Sequence, residues 1–361
     1  MATVTVVGAG MMGAAFCLPL VDRGHEVRLV GTPLDDFIVD SLRRDGTHPK
    51  LGLGLPAPIK PFSHTELDAA LAGADLVVLG VSSAGVDWAL ETLGPRLEPG
   101  RPLLMVTKGL LFEGGRLRAL PDVVAEGLPE RLRGRVPTIA VTGPCIAGEL
   151  ARRVETCVVF AGRDPEALER AAGLVRTPYY HVFPSVDVEG PCACAALKNA
   201  YAMGVAFAAG AHERAGGAPG SVAMHNYEAA AFAQAIFEMR RVLEAMGADP
   251  SAAGWLPGVG DLHVTGNGGR TGRFGRLLGL GLTATEAKAK MAGDTLECCE
   301  ILAVMREALP SLEAAGRLEP DELPLLRHMA SLVLDDAPLA MPFDLFFAPP
   351  RGPAKPGGGG R

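Results

Sequence analysis

The run Thr3-Val4-Thr5-Val6-Val7 leads without interruption into Gly8-Ala9-Gly10-Met11-Met12-Gly13. β-Branched residues favour an extended chain, and glycines so spaced after a strand call for a sharp turn and an immediate helix start. Each glycine has a task. Gly8 permits the tight turn, Gly10 lets the backbone come close to a pyrophosphate, and Gly13 lets the helix pack closely on the strand. The helix N-terminus adds amide donors and a dipole that favours phosphate, so Gly8, Gly10, Met11, Met12 and Gly13 are expected against a dinucleotide.

Pro19 removes a backbone hydrogen bond from that helix and predicts a kink, at roughly 3 kcal/mol if internal, or an earlier end. The type of dinucleotide stays open. NAD enzymes often place an acid at the end of the second strand, on the ribose 2′-hydroxyl. Here that strand ends Leu29-Val30-Gly31-Thr32-Pro33, with Asp35 and Asp36 only later and Arg28 on an unassigned side. Both NAD and NADP are therefore carried forward.

The first half alternates short β-branched runs with amphipathic segments, the pattern of parallel strands joined by helices. Strands are expected at 3–7, 26–30, 74–81, 103–107, 138–142, 156–161 and 179–183. Beyond about Pro191 the alternation stops, and Ala-rich and Leu-rich windows at 192–211, 221–246, 295–309 and 321–334 read as helices. The expected architecture is α/β: a Rossmann-like parallel-sheet dinucleotide-binding domain at 1–187, then an all-α substrate domain at 188–347. Residues 348–361 are Pro and Gly with little to bury, and are expected to be disordered.

With 361 residues, 48% of them hydrophobic, the chain can build two cores. A net charge of −7 without a basic block excludes nucleic acid as the main partner, though not a local phosphate pocket. The seven cysteines lack paired CxxC spacing and nearby histidines, so reduced thiols and no metal site are expected. The N-terminal strand lacks a basic leader, which predicts a cytoplasmic protein without membrane insertion. Long Ala-rich helices leave room for a homodimer face.

The stretch from Gly258 to Phe274 holds one aspartate, Asp261, and a glycine-rich loop with Arg270 and Arg273, and Lys198-Asn199 interrupts an apolar run upstream. A lysine, an aspartate and an arginine-bearing loop after a dinucleotide motif suggest a phosphorylated carbonyl reduced by a nicotinamide. Reduction of a ketone creates an alkoxide that needs stabilisation and a proton.

On Gly8 to Gly13, Val106-Thr-Lys108-Gly109-Leu110, Thr142-Gly-Pro-Cys-Ile-Ala147, Ala195-Ala-Leu-Lys198-Asn199, Gly258-Val-Gly-Asp261-Leu262 and Gly268-Gly-Arg270-Thr-Gly-Arg273-Phe-Gly275, in that order, the chain resembles the NAD(P)-dependent glycerol-3-phosphate dehydrogenase family as far as about Phe347. The resemblance implies reversible reduction of dihydroxyacetone phosphate to sn-glycerol 3-phosphate. Lys198 then is the general acid, Lys108 the cation that lowers its pKa and polarises the carbonyl, and Asp261 the residue that orients the lysine.

Arg270 is the phosphate clamp, since a guanidinium offers paired donors. The resemblance further puts Asn199 and Thr265 on the substrate and Ala147 and Glu297 against the cofactor; the Gly269 amide at a helix start and Thr271 are also expected on the substrate, and Lys108 and Arg270 beside the cofactor as well. Ser82, just past a strand, contacts the cofactor or caps a helix, and His263 reads as a packing histidine. Three positions depart from the family: Thr271-Gly272 replaces Asn-Arg, Gln234 stands in the helix where an Ile-Thr-Arg-Gly run is usual, and Cys145 replaces serine. Two other readings follow. A paralogous two-domain reductase of another small ketone, such as a ketopantoate-reductase-like enzyme, would not require the Arg270 loop; a non-catalytic dinucleotide sensor would not require Lys198 or Asp261.

Overall fold

The computed structural model describes residues 1–219 and 224–347. The chain forms two compact units. The first comprises Met1–Leu111, Arg118–Ala195 and Trp255–Val264, and the second comprises Phe112–Leu117, Ala196–Gly254 and the described residues from Thr265. Against the expected division at 187–188, the chain passes between units at Ala195–Ala196, inside the helix Glu189–Arg214. No change of pattern marks that point, because a helix continues through it. Asp261, expected on the helical part, belongs to the first unit.

The first unit is built on an eight-stranded sheet in the order Tyr180–Ser185, Thr156–Ala161, Thr138–Thr142, Leu103–Met105, Leu76–Leu79, Thr3–Val7, Glu26–Val30, Ile59–Phe62. Val6 pairs with Leu29 on one side and with Val78 on the other, both in parallel register. Both faces of the sheet are covered. Val4, Val6, Leu76, Val78 and Leu104 pack in one apolar cluster with Phe16 from the first helix, and Val7, Val77, Leu79, Leu103 and Met105 pack in another with Leu93 and Val124. Burial on two sides explains why these strands read as continuous apolar runs.

Several strand features differ from expectation: the strands expected at 74–81 and 103–107 are shorter, Leu76–Leu79 and Leu103–Met105, and the small pairs Thr47–His48 with Leu53–Gly54 and Leu110–Glu113 with Arg116–Ala119 were not expected. Thr138–Thr142 and Thr156–Ala161 run antiparallel, a reversal that a pattern of apolar runs does not encode. Ile59–Phe62 was not expected as a strand, since Ile-Lys-Pro-Phe has no apolar run; it lies at the sheet edge, where Pro61 forfeits no ladder partner. The first helix, Met11–Asp22, continues through the buried Pro19 rather than ending before it.

The second unit is helical except for Phe112–Leu117, which belongs to the paired strands Leu110–Glu113 and Arg116–Ala119 rather than to the all-α domain expected. Its helices include the segment from Ala196 of Glu189–Arg214, His225–Met246, Gly269–Gly279, Glu297–Ala314 and Pro324–Leu334. Glu297–Ala314 runs past Pro310, and Pro324–Leu334 starts after the expected 321. Residues 221–223 of the expected second window, and the tail from 348, lie outside the described residues. Helices Glu189–Arg214 and Gly269–Gly279 meet backbone to backbone. A Cβ on Gly275 would stand 2.3 Å from the Met203 carbonyl oxygen, and one on Gly279 2.3 Å from that of Phe207. That contact sets the helix carrying Lys198 beside the helix that starts the arginine loop.

By length and composition Glu189–Arg214 could cross a membrane, yet 83% of its apolar window is buried inside the protein.

Candidate active site

The loops after four mutually parallel strands emerge at one end of the sheet: Gly8 after Thr3–Val7, Ser82 after Leu76–Leu79, Lys108 after Leu103–Met105 and Ala147 after Thr138–Thr142. The chain leaves Thr3–Val7 toward Glu26–Val30 on one side and returns to Leu76–Leu79 on the other, so Gly8 stands at the switch point where open α/β sheets bind ligands. Gly8 has φ +111°, and a Cβ there would fall 2.6 Å from the Gly80 backbone. A Cβ on Gly13 would lie 2.0 Å from the Gly8 carbonyl oxygen, whereas beside Gly10 there is nothing within 4 Å. Crowding behind the loop and open space in front of it make a cradle that fits a pyrophosphate, with Gly10 capping the helix that begins at Met11. Met11 is 48% exposed. Ser82 is exposed and makes no side-chain cap on the turn it precedes.

Lys108 leaves the sheet at the same end, and its Nζ donates to Oδ2 of Asp261 at 2.6 Å and to the Gly143 carbonyl at 3.5 Å. Asp261 is buried, whereas Lys108 keeps part of its side chain in solvent. Within the first unit, Asp261 is thus ion-paired with Lys108. Asp261 opens the short helix Asp261–Gly266. His263, expected to pack, is exposed.

In the second unit Lys198 is only 8% exposed, which removes the reading of an ordinary solvated lysine. Its Nζ donates to the Thr265 hydroxyl at 2.7 Å. Asn199, the next residue on the helix, is half-buried. Gly269 and Arg270 begin the helix Gly269–Gly279 and are exposed, while Thr271 is buried. The Arg270 guanidinium donates to Glu297 at 2.7 Å, so two residues expected near the cofactor are paired with each other. Arg273 donates to Asp294 at 2.6 Å. Gln234 is buried: its amide donates to Glu238 at 2.7 Å, and its carbonyl oxygen accepts from the Phe347 amide at 2.9 Å. It thus serves the interior of the unit.

Two residues hold the glycine loop: His48, which sequence reasoning passed over, and Asp35, which it weighed only as an acid for the ribose. Their signal was weak, since neither falls in a recognised motif.

The family model for the N-terminus of NAD-dependent glycerol-3-phosphate dehydrogenase matches residues 3–168, and the model for its C-terminus matches residues 187–341. The chain belongs to this family. It is 36% identical over 288 residues to the NADP(+)-dependent glycerol-3-phosphate dehydrogenase of Archaeoglobus fulgidus, covering 80% of this chain and 83% of that protein. A glycerol-3-phosphate dehydrogenase [NAD(P)+] of Geobacter metallireducens is 30% identical over 344 residues, covering 92% and 93%. Among solved structures, the glycerol-3-phosphate dehydrogenase of Coxiella burnetii superposes with a TM-score of 0.76 at 25% identity, over 93% of this chain and 96% of that one.

Among the described residues, no group of three or more histidines, cysteines or acids could hold a metal ion.

Proposed function

We propose that this dehydrogenase-family chain reduces dihydroxyacetone phosphate reversibly to sn-glycerol 3-phosphate with NADH or NADPH, and that Lys198 is the general acid. The carrying observation is the burial of Lys198 with its ammonium hydrogen-bonded to Thr265 at 2.7 Å. A positioned ammonium within hydrogen-bond reach of a carbonyl oxygen can serve as its proton donor.

The glycine loop from Gly8 to Gly13 would hold the pyrophosphate of a reduced nicotinamide dinucleotide, which when bound would supply the hydride for the carbonyl carbon. Lys198 donates a proton from Nζ to the carbonyl oxygen as it becomes an alkoxide, and solvent restores the ammonium. Lys108, fixed by Asp261 at 2.6 Å, contributes positive charge to the polarised carbonyl. Arg270 exchanges Glu297 for the substrate phosphate, where paired guanidinium donors suit the oxygens. Asn199, Thr265, Gly269 and Thr271 complete the substrate contacts; Met11, Met12, Ser82, Ala147 and Glu297 line the cofactor.

The reading also includes a homodimer serving glycerophospholipid metabolism in the cytoplasm. The seven cysteines, none of them in a disulfide, suit a reducing compartment, and the exposed Phe343, Leu345 and Phe347 offer apolar surface to a second copy. Sedimentation would show a mass twice that of the chain.

The test is oxidation of NADH and NADPH with dihydroxyacetone phosphate, with unphosphorylated dihydroxyacetone, and with Lys198→Ala. Turnover that requires both the phosphate and Lys198 is expected. Cofactor binding without reduction of either ketone would instead leave the chain a sensor or a reductase of another substrate.

A further inference from the structure

Two buried side chains outside the roles assigned above hold the glycine loop from behind. Asp35, 8% exposed, follows the strand Glu26–Val30, and its Oδ2 accepts three hydrogen bonds: from the Thr32 hydroxyl at 2.8 Å, the Thr32 amide at 3.0 Å and the Ala9 amide at 3.3 Å. His48 is fully buried, with Nε2 2.8 Å from the Ala9 carbonyl oxygen and Nδ1 accepting from the Leu51 amide at 3.1 Å. Because Nδ1 accepts, Nε2 carries the hydrogen and donates it to Ala9. Both main-chain polar groups of the residue between Gly8 and Gly10 are thus tied to side chains.

The Asp35 carboxylate turns inward to its own loop. A carboxylate that holds a ribose 2′-hydroxyl must instead present oxygens to the ligand, and it repels a 2′-phosphate. Gly31 to Leu34 contain no acid, and Asp36 turns its Oδ1 toward His64 at 3.4 Å.

We propose that Asp35 and His48 are positioning residues that pre-set the dinucleotide loop through Ala9, and that Asp35 takes no part in reading the ribose, so the site does not discriminate strongly against the 2′-phosphate. Pre-setting matters because a loop ordered before binding does not lose that freedom on binding. The inference rests on the dinucleotide reading of the loop.

Titration of the full chain with NADH and with NADPH, followed by cofactor fluorescence alongside a melting curve, tests it. The wild-type protein is expected to bind both with Kd values within about tenfold of each other, a difference of about 1.4 kcal/mol or less. Asp35→Ala and His48→Ala are expected to weaken both cofactors in parallel by about tenfold, the scale of a lost buried hydrogen bond. Asp35→Asn and His48→Gln keep an acceptor oxygen and a donor nitrogen, fold most readily, and restore both affinities.

A ribose-reading aspartate gives the opposite pattern: Asp35→Asn weakens NADH or tightens NADPH selectively by about tenfold, which would overturn the proposal while leaving the dinucleotide site intact. A wild-type chain that binds neither cofactor overturns the dinucleotide reading and the proposal together.

Discussion

Lys108 Nζ and Asp261 Oδ2 lie 2.6 Å apart although 153 residues separate them in the chain. The pair is asymmetric, since Asp261 keeps 2% of its side-chain exposure and Lys108 keeps 27%. Removing the cation from a buried carboxylate costs more than removing the carboxylate from a cation that reaches water. Lys108→Met is therefore expected to destabilise the protein by about 2 kcal/mol and Asp261→Asn by less, with part of the loss recovered in the double variant. Urea unfolding of the four proteins measures this; equal single losses that simply add would remove the asymmetry argument.

Lys198 and Thr265 make a second, separable prediction. Lys198→Met should lower kcat by about 10²- to 10⁴-fold, the range for loss of a positioned acid. Thr265→Val removes only the hydroxyl that accepts from Nζ, and should cost about tenfold. Steady-state kinetics with dihydroxyacetone phosphate reports both, and a Lys198→Met protein with unchanged kcat excludes this lysine as the acid.

The Arg270–Glu297 pair is half exposed on both sides, so its own contribution to stability is about 0–1 kcal/mol. Arg270→Ala should leave the melting temperature nearly unchanged while raising KM for the phosphorylated ketone by about tenfold or more. Inorganic phosphate, as a competitor, should lose its inhibition in the same variant. Undiminished inhibition by phosphate would move the clamp to another residue.

Glu238 supplies a pH prediction. Its buried carboxyl accepts from the Gln234 amide, the Tyr201 hydroxyl and the amides of Leu325 and Leu326. Burial raises its pKa from the ordinary 4.5 to about 7, against the lowering effect of those donors. A carboxyl that binds its proton more tightly when folded stabilises the fold fully below its unfolded pKa, and that contribution is lost as pH rises through the folded one. Between pH 4.5 and 7 it should therefore remove roughly 3 kcal/mol, a loss absent from Glu238→Gln. Unfolding midpoints of the two proteins across that window give the difference. A wild-type curve that gains on the variant as pH rises contradicts the assignment.

Gly10 and Gly13 separate ligand space from packing space. With nothing within 4 Å, Gly10→Ala should fold normally and weaken dinucleotide binding. Gly13→Ala places a methyl 2.0 Å from a carbonyl oxygen and should lower stability by about 1–3 kcal/mol as well. Thermal melts with and without NADPH distinguish them, and equal melts for both variants would count against the division.

Much of this was legible in the chain. Thr3–Val7, Glu26–Val30, Thr138–Thr142 and Thr156–Ala161 occupy the expected residues, because strands buried on both faces must be apolar throughout. Lys198 stood out for the same reason: a charge inside an apolar run contradicts its surroundings. Ile59–Phe62 escaped notice because an edge strand tolerates a lysine and a proline.

What the sequence determined by itself was local: the strand, turn and helix around Gly8 to Gly13, the change from alternating to helical architecture, and the residue types able to reduce a phosphorylated ketone. Tertiary structure decided which of these groups meet. The pairing of Lys108 with Asp261, of Lys198 with Thr265, and the double hold of Asp35 and His48 on Ala9 all join residues distant in the chain or outside any motif. Hydrophobic period and glycine spacing act over a few residues, whereas a hydrogen bond forms wherever folding brings donor and acceptor within 3 Å or so, and that proximity is a property of the packed chain as a whole.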